Sequence, residues 1–298
     1  MDRPRLMITG ARGFVGSRVL PHLLGEFEVH AVSRESHVDD KIHWHSADLT
    51  DSESCARLIA KTKPAYLVHC AWETQHGAFW EAETNRQWYE AGKVLFQTFQ
   101  SAGGQRIVAL GSCAEYTGSD QPLTEIEDQD TPATLYGQSK LSLLNDLQSL
   151  PVSFSWARIF HLFGPHENPY RFVPSLCRAL LSETPAECSS GRQVRDLSDV
   201  RDVALSIAML VKSPIEGAIN LGHGSSTTLA DVALELGRIA ERPDLIRVGA
   251  LPDRPGEPRV LIPDLTRQFQ ELNAPTARAL QDSLQSTFEW WRRHKDER

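Results

Sequence analysis

Apolar residues follow two alternating rhythms through the first half of the chain. Short runs at 5–9, 28–33, 42–46, 65–70, 106–111 and 153–159 are dense in apolar side chains and have the length of strands. Strands covered on both faces read this way, as near-continuous apolar runs rather than strict alternation. Between them, stretches at 14–24, 52–62, 80–102 and 136–150 repeat apolar residues three to four apart, the spacing of one helix face. Strand-helix alternation sustained this long predicts an α/β fold, with a parallel sheet covered by helices on both sides. Right-handed crossovers make that a doubly wound Rossmann arrangement.

Beyond about residue 160 the rhythm breaks. Pro165, Pro169, Pro174 and Pro185 punctuate loops, and helices are predicted at 172–181 and 200–211. A strand at 218–221 is expected to return to the sheet. Thr228-x-x-Asp231 has the spacing of a capping box and opens a helix to about residue 239. Leu280, Leu284, Phe288 and Trp291 form one apolar stripe, so Trp290-Trp291 reads as part of a helix docked on the core rather than a ligand platform. No internal repeat is visible.

Composition narrows the classes. The chain has 298 residues, 41% hydrophobic and 23% charged, which suits a packed globular protein. Its 31 Lys and Arg against 39 Asp and Glu give a net charge of −8 and no basic stripe, so no nucleic-acid or anionic-membrane partner is expected. The longest apolar candidate, 203–211, is about half the ~20 residues a bilayer needs. The N-terminus runs straight into a strand with no signal-peptide core, which predicts a cytoplasmic protein. Cys55, Cys70, Cys113, Cys177 and Cys188 show no C-x-x-C spacing and read as reduced thiols. His43-x-His45 lacks a third partner, so no metal is expected.

The candidate chemistry begins at Gly10-Ala11-Arg12-Gly13-Phe14-Val15-Gly16, a glycine turn between the first strand and first helix. Such a turn lets a pyrophosphate approach free N–H groups at a helix N-terminus. Alone the motif is weak; in the first strand-helix turn of an alternating chain it points to a dinucleotide. The end of the second strand carries Ser33-Arg34 where an NAD site usually has an acid. Arg34, helped by Arg12, suits a 2′-phosphate, which favours NADP over NAD. Glu35 lies beyond the expected strand end. Asp48-Leu49 is placed to meet the adenine edge. Residues 1–160, with 200–222 returning, are thus expected to form a dinucleotide-binding domain and 161–298 mainly a substrate-binding domain.

Tyr136 and Lys140 stand four residues apart on a predicted helix and share a face. A free phenol, with a pKa of about 10, needs a nearby cation to work as an acid-base group at neutral pH. Lowering it by three units takes about 4 kcal/mol. Ser112, after the fifth strand, would complete an oxygen-binding site.

With these residues in place, the sequence resembles the extended short-chain dehydrogenase/reductases, in the branch of NAD(P)-dependent nucleotide-sugar epimerases, dehydratases and reductases. The resemblance rests on the glycine turn, Asp48-Leu49, His69-Cys70-Ala71, Ser112, Tyr136-x-x-x-Lys140 and Arg158-Ile159-Phe160. It continues through Phe163-Gly164-Pro165, Arg195-Asp196, Val200, Asp202 and Asn220-Leu221-Gly222. It implies Ser112, Tyr136 and Lys140 as the catalytic triad, and Cys70 and Ala71 beside the cofactor. It implies Arg195 and Arg254, assisted by Arg192, on a sugar-nucleotide diphosphate, with His161 where an asparagine often contacts that group. Trp72 is expected to line the sugar pocket and Asn85 to be architectural. A homodimer through the helices at 80–102 and 136–150 is a further implication.

Departures from the family pattern bear on the reaction. The family's 4,6-dehydratases follow the triad hydroxyl with Asp-Glu, where this chain has Cys113-Ala114. Enzymes resembling GDP-fucose synthase add a cysteine and a histidine at the positions of Ala114 and Arg171. Dehydration and double epimerisation are therefore disfavoured. NADPH-dependent reduction of a nucleotide-linked 4-keto-(6-deoxy) sugar is the leading expectation, and an NAD-dependent 4-epimerase the alternative. A non-catalytic dinucleotide sensor or a reductase of small carbonyls are lesser readings.

Overall fold

The computed structural model describes residues 3–126 and 132–294, so the ends of the two expected domain ranges, 1–2 and 295–298, lie outside it. Seven parallel strands form the central sheet: β1 (Arg5–Thr9), β2 (Glu28–Ser33), β3 (His43–Ser46), β4 (Tyr66–His69), β5 (Arg106–Ser112), β6 (Ser153–Ile159) and β7 (Gly217–Leu221). Their order is β7-β6-β5-β4-β1-β2-β3, every neighbour parallel. This is the doubly wound arrangement, whose order reverses on either side of β1 and opens a crevice at the carboxyl ends of β1 and β4.

Helices cover both faces. On one side α1 (Gly16–Leu23) and α6 (Val200–Leu210) pack Val19, Leu23, Ile207 and Leu210 against Leu6, Ile8 and Ile219. On the other, α2 (Ser52–Thr62), α3 (Thr84–Ser101) and α4 (Leu135–Gln148) set Leu95, Phe96, Phe99 and Leu143 against Met7, Ile107 and Trp156. Leu6, Met7 and Ile8 are all fully buried, which is why β1 carries no polar alternation. A third apolar cluster gathers α5 (Phe172–Leu181), α7 (Leu229–Ile239) and α8 (Leu280–Arg293) around Leu176, Cys177, Val232, Leu236, Leu284 and Trp291. Trp290 stacks on His294 beside it. The Thr228 hydroxyl accepts from Asp231 N at 3.1 Å and opens α7 as its spacing predicts.

Boundaries moved for local reasons. The helix expected from residue 80 starts at Thr84, because residues 75–82 fold into turns that Asn85 ties down. Its buried carboxamide donates to Phe79 O at 2.6 Å and Ala82 O at 2.9 Å, an architectural role. The helix expected from residue 14 starts at Gly16, since Gly13 N closes a turn on Gly10 O. Thr134 caps α4 through Gly137 N and draws its start back to Leu135. No helix among the described residues is long and apolar enough to cross a membrane.

Candidate active site

The glycine turn sits at the crevice between β1 and β4. Gly10 adopts φ +63°, and a Cβ there would stand 2.7 Å from Ala71 N. A Cβ on Gly16 would collide with the Gly10 carbonyl. The turn therefore packs directly on the Cys70-Ala71 backbone with no room for a side chain at Gly10 or Gly16. Beneath it, Thr9 Oγ1 meets His69 Nδ1 at 2.8 Å, and burial holds His69 down to about 3, so the ring is neutral. Helix α1 begins at Gly16 without a side-chain cap at Val15, and the N–H groups of Ser17 and Arg18 turn back onto Gly13 O and Val15 O, so the glycine turn runs directly into the positive end of the helix. These features fit a dinucleotide pyrophosphate.

At the rim, Arg12 pairs with Glu35, and the Ser33 hydroxyl donates to Glu35 O. Arg34 is exposed, and its carbonyl accepts from Ser46 Oγ at 2.9 Å. The Asp48 carboxylate accepts from Thr50 N and Thr50 Oγ1, which hold it below the usual range, and Arg34 adds to this. Leu49 is buried under the second-face helices. The acid beyond the strand end is thus closer to the turn than sequence spacing implied, tied to one of the two arginines expected on a 2′-phosphate.

Ser112 ends β5, and Tyr136 and Lys140 lie on the buried face of α4. The Ser112 hydroxyl faces the Tyr136 phenol and favours its ionised form. Their meeting depends on Gly137, where any side chain would strike the carbonyl of Ala114 in the 3-10 turn Cys113–Glu115. Lys140 is buried and donates to Leu110 O at 2.8 Å. Its Nζ stands 3.8 Å from the Trp72 ring centroid and 6.0 Å from that of Tyr136. Here the expected acidification is corrected. Burial raises the Tyr136 phenol above its ordinary value, with Cys113 and Glu115 adding to the rise and the Ser112 hydroxyl and the Arg171 guanidinium opposing it. Burial lowers Lys140 to about 7, with Glu115 and Cys70 working against it.

A buried polar network fixes Ser112 from below. Glu115 accepts from Ser112 N at 2.7 Å, from Trp156 Nε1 at 3.0 Å and from Arg158 Nε at 2.8 Å. Arg158 also donates to the Tyr116 hydroxyl, which in turn donates to Asn220 Oδ1 at 2.7 Å. Glu115 and Arg158 are almost fully enclosed. Sequence reasoning missed Glu115, Trp156 and Tyr116; the Ser112-x-x-Glu115 capping-box spacing was the one local signal.

Substrate-side residues are placed unevenly. His161 is half-buried as a residue, its Nδ1 enclosed and without a partner, and burial with Arg195 and Arg171 nearby holds it down to about 3. Arg195 is buried, with Nη2 on Glu257 at 2.9 Å and Pro258 O at 2.8 Å, so its guanidinium is engaged within the chain. Arg254 and Arg192 are exposed, Arg254 acting on His76 and Arg192 on Asp253. Trp72, expected to line the sugar pocket, lies over Lys140, its indole N–H on Asn85 Oδ1 at 3.0 Å. Arg171, which sequence treated only as a replaced histidine, lies 3.6 Å from buried Glu167, whose carboxyl burial pushes up to about 8.

A family model described as the NAD dependent epimerase/dehydratase family matches residues 6–222. A dTDP-glucose 4,6-dehydratase of Escherichia coli is 22% identical, over 98% of this chain and 94% of its own length. The solved UDP-glucose 4-epimerase of Thermotoga maritima, bound to UDP-glucose, superposes with a TM-score of 0.88 at 21% identity, covering 98% of this chain and 100% of that one. The UDP-glucose 4-epimerase of Thermus thermophilus, in complex with NAD, does so with a TM-score of 0.84 at 22% identity, covering 97% and 99%.

Proposed function

This chain belongs to the NAD-dependent epimerase/dehydratase family, and from that premise we propose that it catalyses hydride transfer at C4 of a nucleotide-linked hexose. The observation that carries the reading is the convergence of Ser112, at the end of β5, with Tyr136 and the buried Lys140 ammonium one turn further along α4. Gly10, Gly13 and Gly16 would let the pyrophosphate approach the N-terminus of α1. When bound, the nicotinamide supplies or accepts the hydride. Tyr136 holds the proton for the C4 oxygen, and Ser112 fixes that oxygen by a hydrogen bond. Arg254, with Arg192 and the Arg195 side chain beneath, would bring positive charge to the diphosphate of the substrate against a net charge of −8. Residues 161–298 would supply most of that substrate surface.

Water elimination is the step this site is least equipped for. Burial pushes the Cys113 thiol up to about 12, and Ala114 has no acid or base. Between the remaining reactions, Arg34 at the end of β2 supports NADPH and net 4-keto reduction. The Arg12–Glu35 pair favours NAD and 4-epimerisation, because it sets a carboxylate near the ribose and neutralises one arginine. The test is the mass of the dinucleotide that co-purifies, together with two incubations. Loss of reduced-nicotinamide absorbance with a nucleotide-linked 4-keto-6-deoxyhexose supports reduction. Bound NAD with interconversion of UDP-glucose and UDP-galactose supports epimerisation. Neither binding nor turnover in any arm removes the catalytic reading.

A further inference from the structure

We propose that Trp72 is a positioning residue whose indole face holds the Lys140 ammonium against the Leu110 carbonyl, one helical turn from Tyr136. The ammonium has three donors and is buried: one donor meets Leu110 O at 2.8 Å, and the indole centroid lies 3.8 Å away. A desolvated cation gains most from an aromatic face at this range, and indole is the strongest such face. The next rings, Tyr136 and Trp156, stand at 6.0 Å. The indole is itself fixed, its N–H on Asn85 Oδ1, while Asn85 is pinned by two backbone carbonyls. Tyr136 closes the cage edge-on at 6.1 Å from Trp72.

Other groups that act on Lys140 are accounted for. Glu115, beyond the end of β5, raises its pKa but is already paired with Arg158. Cys70 raises it, and its own thiol is pushed up to about 12 by burial and so is neutral. His69 is neutral as well. Among the described residues the indole is the ring nearest the ammonium, and with Leu110 O it forms the close contact that favours the charged lysine.

The catalytic consequence rests on the function proposed above; the titration does not. In protein labelled with 15N-lysine and assigned through Lys140→Met, the Lys140 ammonium is titrated without added nucleotide in the wild type, Trp72→Leu and Trp72→Phe. Leucine keeps the cavity dry and removes the ring, so the Lys140 pKa falls by about one unit. Phenylalanine keeps a face and loses the N–H, so the fall is less than half as large. The alkaline limb of the pH–rate profile moves down in the same order. Equal falls in both variants would assign the effect to the Asn85 hydrogen bond, and no fall, or a rise, would remove the indole's role; either overturns the proposal. Should the leucine variant fail to fold, a fall in the phenylalanine variant supports the proposal and an unchanged value overturns it. A wild type that neither binds a dinucleotide nor turns over defeats the functional reading and leaves this titration standing.

Discussion

Burial strengthens the hold of the Tyr136 phenol on its proton, while the Ser112 hydroxyl and Arg171 guanidinium pull the other way. A phenol so placed is a proton store, suited to giving its proton to an oxygen that gains charge as hydride arrives. Tyr136→Phe removes that proton and keeps the ring that packs at right angles to Phe79 and Trp80. Turnover then falls by about 10²–10⁴-fold, with dinucleotide affinity by calorimetry within about threefold of wild type. An unchanged rate would mean that Tyr136 does no chemistry. Deeper in, Glu115 is held by three donors, one from Ser112 itself. Glu115→Gln leaves the Arg158 charge enclosed and uncompensated, and lowers stability to urea by about 3–5 kcal/mol. Combining it with Arg158→Met costs less than the sum of the two, because the stranded charge is gone.

The contact between the turn Cys113–Glu115 and the start of α4 decides whether Ser112 and Tyr136 meet. Gly137→Ala places a methyl against the Ala114 carbonyl, so helix and turn must part. Since a displacement of about 1 Å costs roughly 100-fold in rate, the variant keeps its circular dichroism and dinucleotide binding but loses about that much turnover. Wild-type rates would show the turn to be compliant. Elements of this kind mark how far the sequence was legible. β1, β2 and β6 begin and end where their apolar runs do, because strands buried on both faces carry their environment in their composition. The start of α3 was not legible, since Asn85 and the 75–82 turns set it through side-chain bonds to backbone. Within the site, spacing along α4 placed Tyr136 and Lys140 on one face. The direction of the Lys140 ammonium was not legible, because Leu110 and Trp72 come from two other strand ends. Nor was the Glu115–Arg158 pair, whose partners lie 43 residues apart on different elements.

Across the whole molecule, the titration of buried groups gives the fold a direction of acid sensitivity. Burial holds His69 and His161 down to about 3 and His45 to about 4, and it lowers His30 and His76 as well. His30 and His45 share a 2.9 Å hydrogen bond on the β2–β3 edge, beside a cleft of about 470 Å³ also lined by Glu28 and His43. A histidine whose folded pKa lies below its unfolded value of about 6.5 contributes its full share above that pH. As pH falls below it the unfolded chain takes up protons the fold refuses, and the loss is complete only near the folded values. Lys140, lowered to about 7, adds the same slope at higher pH, between its folded value and about 10.5. Glu167 opposes them: raised to about 8, it favours the fold at low pH and loses that contribution as pH rises from about 4.5 towards 8. Burial raises the Glu125 carboxyl too, and two such carboxyls against five histidines leave the acid side dominant below neutrality. The unfolding midpoint measured by calorimetry should therefore fall by about 5–10 °C between pH 7.5 and pH 5. His45→Gln, which removes one of these groups at the sheet edge, should flatten that fall, and a midpoint that holds steady or rises on acidification would show that these rings are open to protons in the folded chain.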